Sequence, residues 1–302
     1  MKKIILYIPV VALFLAACEK DADVQIPAHQ PKLVINGEHS QNDLFGVRIG
    51  RSVGINEPIP QNATELFNVA NARVLLKQND IIVDSLNYNS SRKRYEGTKA
   101  RAMIGNTYTI VATAPGFQQA EASSLLPALV RPLNVGIRRK VRTSADGGPL
   151  DEVTITFKDD ASTQDDYLIR IKGARGEYVF CASSNDKDLE RPVSGDPFNT
   201  NECLSGSQLL LSDRNFNGTT KTIVFNIISA ELNEYTNPQG NRLKPTIELL
   251  HITPDYFKNL KSLAAFNNAE DNPFAEPVNV FTNIKNGYGF FTTYAMAVDT
   301  LR

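Results

Sequence analysis

The sequence predicts a mainly β protein: a β-sandwich over residues 32–130, followed by a second β-rich domain over 131–302 that carries one amphipathic helix near 254–266. Two observations point to this class. Short runs of alternating apolar and polar residues recur along the chain with turn residues between them, the pattern of half-buried strands in a sandwich. One stretch stands out from these by spacing its apolar residues as a helix does.

The first 31 residues stand apart. Lys2 and Lys3 precede an apolar run from Ile4 to Ala17 that is too short to span a bilayer and is laid out like a secretory signal. Leu15, Ala16, Ala17 and Cys18 resemble the lipobox of bacterial lipoproteins. The resemblance makes residues 1–17 a lipoprotein signal peptide and Cys18 the lipidated N-terminus; the alternative is a plain secretory signal that happens to contain a cysteine. Residues 18–31, polar and with Pro27 and Pro31, then form a lipidated tether. Several acyl chains on one cysteine suffice for stable attachment to a lipid bilayer. Glu19, Lys20, Asp21 and Asp23 resemble a surface-export signal, which implies a protein that faces outward rather than into the periplasm; the alternative is a merely solvated tether.

In the first domain, "KLVINGEH" is a short strand-like run, followed by a variable polar stretch. In "NARVLLKQNDIIVDSLNY", Ala72, Val74 and Leu76 alternate with Arg73 and Lys77, and "QND" marks a tight turn before Ile81 to Leu86. "GNTYTIVATAPGF" repeats the alternation and ends at Pro115-Gly116. The domain is expected to close near "SLLPALVRPLN", where Pro127 and Pro132 interrupt regular structure. In the second domain "EVTITFKDD" alternates cleanly, "DYLIRIKG" and "GEYVFCA" read as a hairpin around Gly173 to Gly176, and "TKTIVFNII" and "PTIELLHI" are further strands. The helix follows in "HITPDYFKNLKSLAAFNN". Thr253 is suited to the N-cap, Pro254 to the first helical position and Asp255 to the positive end of the dipole, while Tyr256, Leu260 and Leu263 make an apolar stripe. "NIKNGYGFF" has glycines where a bulge or close backbone approach is needed, and "FFTTYAMAVDTL" is the final strand.

Composition narrows the function. Without the first 17 residues, 30 basic side chains face 33 acidic ones, a formal charge of −3. No basic stripe exists to hold a nucleic-acid backbone. With Cys18 assigned to lipid, Cys181 and Cys203 are an even pair in an oxidising compartment, and they bracket a polar, aperiodic loop. A disulfide is favoured over two free thiols, and would contribute about 3 kcal/mol on the loop-entropy account. His29 lies in the tether, His39 follows the first strand and His251 ends another, so no histidine pair has metal-ligand spacing. No nucleotide-binding glycine motif or nucleophile elbow is present, and no catalytic residue or cofactor is assigned. Asp165 and Asp166 are adjacent and would point to opposite faces of a strand, so they read as solvated turn acids rather than a hydrolytic pair. Asp213, Asn215, Asn217 and Gly218 match the opening of a calcium loop, but the twelfth position is Val224 instead of a glutamate, and turn chemistry accounts for the same residues.

Several stretches together resemble one family, the Bacteroidota outer-membrane lipoproteins catalogued as domain of unknown function 4249. These are "VANARVLL", "GNTYTIVATAPGF", "DRNFNG", "YFKNLKSL" and, most specifically, "NPFAEPVNVFTNIKNGYGFF". The resemblance implies an immunoglobulin-like first domain and a gene neighbourhood shared with TonB-dependent receptor barrels. It supplies no catalytic residue. The expected function is therefore a non-catalytic accessory protein that associates with a TonB-dependent β-barrel and assists nutrient capture, with a surface adhesive or structural lipoprotein as the alternative. Phe274, Tyr256 and Tyr288 are the aromatic residues expected to contact a partner or ligand, with core packing as the competing reading.

Overall fold

A computed structural model describes residues 29–54, 57, 67–191, 203–270 and 276–302; Cys18 and Phe274 lie outside the described residues. The chain divides into two units, residues 1–30 with 53–57, and residues 31–52 with 58–302. The strands and the helix among the described residues belong to the second unit.

Among the described residues, seven strands build the first half: β1 (Leu33–Ser40), β2 (Leu44–Arg51), β3 (Arg73–Gln78), β4 (Ile81–Asn89), β5 (Arg94–Arg101), β6 (Thr107–Thr113) and β7 (Ala120–Leu125). They run in the order β1-β2-β5-β4-β3-β6-β7 with every neighbour antiparallel. Alternation sends Ile35, Phe45, Val47, Val74, Leu76, Tyr108 and Ile110 into one buried cluster. Asn79 and Asp80 both have positive φ, 47° and 67°, which makes "QND" the two-residue hairpin turn its sequence predicts. His39 does not follow the first strand but lies within it, buried against Phe45 at 4.7 Å between ring centroids.

The second half contains β8 (Pro132–Thr143), β9 (Pro149–Lys158), β10 (Asp166–Lys172), β11 (Ala182–Ser183), β12 (Leu209–Ser212), β13 (Thr220–Ile228), β14 (Tyr235–Thr236), β15 (Arg242–Leu243), β16 (Thr246–Ile252), the helix α1 (Pro254–Glu270) and β17 (Tyr288–Thr300). One layer has the order β11-β13-β9-β8 and the other β12-β10-β16-β17, and both feed a single core that includes Val153, Phe157, Tyr167, Ile169, Phe225 and Leu249. α1 covers the opposite face of the second layer, where Leu168, Leu210, Leu250 and Ile252 meet Tyr256, Phe257 and Phe290. Burial on both faces explains why β12 and β16 read as near-continuous apolar runs. The Thr253 hydroxyl accepts from the Tyr256 amide at 3.2 Å, so the predicted N-cap forms, and the helix runs four residues past its expected end.

β17 ties the two halves together. Its first part, Tyr288 to Tyr294, pairs parallel with β1, and its second part, Ala295 to Thr300, pairs antiparallel with β16. The result is one eleven-stranded sheet running through both halves. The first large cluster draws on residues 33–126, completed by Ile284 and Phe291 from the far end of the chain, and the second draws on residues 153–301, with Val130 packed against it. The fold class is as predicted, mainly β and rich in sandwich packing, with one α-helix among the described residues.

Three local readings are corrected. Pro132 does not interrupt structure but opens β8, where a strand tolerates proline as its first residue. "GEYVFCA" does not form a full hairpin limb: it touches β10 at the Lys172–Tyr178 bridge and then crosses to pair with β13 in the opposite layer. The polar stretch after β1 contains β2, whose Phe45, Val47 and Ile49 alternate inward.

Candidate functional site

A cleft of about 730 Å³ opens where the outer faces of β1, β2 and β5 meet α1 and the start of β17. The alternation that buries Ile35, Val47 and Tyr95 turns Asn36, Glu38, Gly46 and Arg48 outward on β1 and β2, and Arg94 joins them from β5. The Arg94 guanidinium lies across the strand at Gly46, in the space a Cβ there would enter. The far wall is Asn259 and Leu263 of α1 with Val280, Phe281 and Thr282. This wall is fixed by hydrogen bonds, since Asn259 donates to the Phe281 carbonyl at 2.7 Å and the Phe281 amide donates to the Ser262 hydroxyl at 2.8 Å. Tyr288, Gly289 and Phe290 form the floor, with Phe281 and Phe290 in an edge-on contact at 6.4 Å.

The charge in the cleft is unbalanced. The Arg48 side chain is exposed and makes no ion pair with any described residue, and Arg94 has only Glu96 within reach, at 3.7 Å. Arg94 Nε is buried without a hydrogen-bond partner. The single acid of the lining, Glu38, already accepts from the Tyr256 hydroxyl at 2.8 Å, and Arg170 donates to that hydroxyl at 3.3 Å. Burial, then the neighbouring Glu38 carboxylate, push the Tyr256 phenol well above its ordinary pKa.

The residues expected from sequence fare differently. Tyr256 is buried behind the cleft and orients Glu38, so it is not a surface contact. Tyr288 lines the cleft and is 42% exposed, with the Lys32 ammonium 5.2 Å from its ring centroid. Cys181 and Cys203 form a disulfide with a Cα–Cα separation of 5.1 Å. Asp213, Asn215 and Asn217 do not converge: Asn215 turns away to donate to Asp188 at 2.7 Å, and Asn217 is exposed. Asp165 is not a solvated turn acid. It is buried, paired with His251 at 3.1 Å, and close to Asp159 and Asp213. Sequence reasoning missed Glu38, Arg48 and Arg94; the alternation in β2 marks Arg48 as outward-facing, but only the strand order brings Arg94 beside it.

The family described as "Domain of unknown function (DUF4249)" matches residues 19–300. The chain belongs to DUF4249. The stretch "NPFAEPVNVFTNIKNGYGFF" supplies Val280, Phe281, Thr282, Tyr288, Gly289 and Phe290 to the cleft. No curated protein matches the chain. A solved structure described as "Biofilm associated protein - BSP domain" aligns over 94% of this chain and 62% of its own length at 7% identity, with a TM-score of 0.17, which is too low to carry an argument. Among the described residues, no helix is long and apolar enough to cross a membrane.

Proposed function

We propose that this DUF4249 protein is a lipid-anchored, non-catalytic binding subunit of the bacterial outer membrane. It is held there through acyl chains on Cys18 and works beside a TonB-dependent β-barrel, to which it delivers a ligand. The observation that carries the binding role is the cleft. Its volume is that of small-molecule sites, which typically span about 300–1,000 Å³. Its aromatic floor and two under-neutralised arginines suit a short ligand with an apolar part and a carboxylate, because a guanidinium fork matches a carboxylate in geometry and charge. The anchoring and the barrel partnership rest on the lipobox resemblance and on the family.

A thermal-shift panel of short peptides with free carboxylates and of acidic oligosaccharides tests the cleft. At least one class is expected to raise the melting temperature of the wild-type protein, and the shift is expected to disappear in the Arg48→Ala, Arg94→Ala double variant. Shifts of equal size in wild type and double variant would remove the cleft from the account.

A further inference from the structure

Three carboxylates gather at one end of the second sandwich. Asp159 follows β9, Asp165 precedes β10 and Asp213 follows β12, and they are 2%, 5% and 0% exposed. One oxygen from each lies within 4.8 Å of the others. Two oxygens that share a calcium ion at about 2.4 Å are separated by at most about 4.8 Å, so this spacing fits a common cation.

Backbone contacts hold the cluster in place. The Asp165 amide donates to Asp213 Oδ2 at 2.8 Å, and the Asp213 amide donates to the Asp165 carbonyl at 3.0 Å. Asp159 accepts from the Tyr167 hydroxyl and the Gly218 amide, both at 2.6 Å, and Asp165 accepts from the Thr163 hydroxyl at 2.9 Å. Oriented, hydrogen-bonded carboxylates of this kind are what a metal's ligands require around them, and each oxygen keeps a further lone pair.

A second observation points to a ligand. Asp213 Oδ1 is buried and has no hydrogen-bond partner, although an unpartnered buried carboxylate oxygen is costly. No lysine or arginine among the described residues pairs with any of the three acids; His251 beside Asp165 is the one basic group in contact. We infer that Asp159, Asp165 and Asp213 form a binding site for a divalent cation of the calcium type, with Asp213 Oδ1 as a direct ligand. Bound there, the ion joins the 159–165 loop to the turn that opens at Asp213. Calcium fits better than magnesium because magnesium retains several waters, for which so buried a site leaves little room.

The test uses the purified full chain, stripped with chelator and desalted, then titrated with calcium chloride alone in a calorimeter and in thermal melts. The expected results are one calcium per chain and a melting temperature that climbs with the logarithm of calcium concentration. Asp213→Asn is expected to weaken binding at least tenfold, with Asp159→Asn as the second variant should the first not fold. Asn215→Ala and Asn217→Ala are expected to bind as wild type does, because neither side chain reaches the cluster. No heat and no change in melting up to about 5 mM calcium, above the range of weak extracellular sites, would overturn the inference. Wild-type affinity in a folded Asp213→Asn variant would overturn it equally.

Discussion

Lowering the pH should destabilise the native state through a single buried side chain, His39. The imidazole is 3% exposed, packed between Phe45 and Phe291, and its Nε2 has no partner. Burial, opposed by the nearby Asp43 carboxylate and reinforced by the Arg94 guanidinium, lowers its pKa from 6.5 to about 4. The folded state therefore binds fewer protons than the unfolded chain between these values. The stability that neutral His39 allows is complete above pH 6.5 and falls as the pH drops toward about 4. Between about pH 7.5 and about pH 4.5 the linkage relation gives a loss of about 2.5 kcal/mol from this residue alone. His39→Leu removes the proton acceptor at similar volume and is expected to cost less than about 1.5 kcal/mol at neutral pH. Urea unfolding read by tyrosine fluorescence or circular dichroism suits a chain with 10 Tyr and no Trp. Wild type should lose about 2.5 kcal/mol more than His39→Leu across that pH interval. Curves that stay parallel to within about 0.5 kcal/mol would refute the reasoning.

Other perturbations follow from the same kind of argument. Asp84 accepts backbone N–H groups from Ser85, Thr98 and Lys99 at 2.8–3.0 Å where β5 leaves its regular register; burial opposes its ionisation, but these bonds leave its pKa below the ordinary value. Asp84→Asn should therefore lose about 2–4 kcal/mol in neutral solution, a difference that narrows in acid melts as the wild-type carboxylate protonates. Gly289→Ala should cost about 2–4 kcal/mol and speed amide exchange in β1, because φ is 94° and the new Cβ would overlap the Ile35 carbonyl oxygen. Gly105→Ala, with φ of 81° but nothing within 4 Å, should cost only about 1 kcal/mol in the same melts. Reduction of Cys181–Cys203 should lower unfolding stability by about 3 kcal/mol, measured with and without reductant.

The local elements were legible because their signals are local. The strands of "RVLLKQ", "TYTIVAT" and "TITFK" follow from alternation, the Asn79-Asp80 turn from its residue types, and the start of α1 from Thr253 and Pro254. The parallel pairing of β17 with β1 was not legible, since it joins residues some 254 positions apart, such as Val34 and Tyr288, through backbone groups that carry no sequence preference. β5 was hidden by its polar "RYEGTKAR", in which only Tyr95 and Gly97 are buried. The candidate sites divide in the same way. The closing motif pointed to Tyr288, whereas Arg48 and Arg94 meet only through the order of β2 and β5. Asp213 was visible as a turn acid, but Asp159 and Asp165 become its neighbours through the packing of loops 48 or more residues away.

The central claim, a lipid-anchored subunit working with a barrel, is tested most directly by one measurement: affinity purification of the tagged full-length protein from membranes extracted in mild detergent, followed by identification of what comes with it. The account predicts a TonB-dependent barrel in near-equal amount with the wild type, and loss of both membrane retention and barrel in Cys18→Ser. Recovery of wild-type protein from the same extract with no barrel would contradict it.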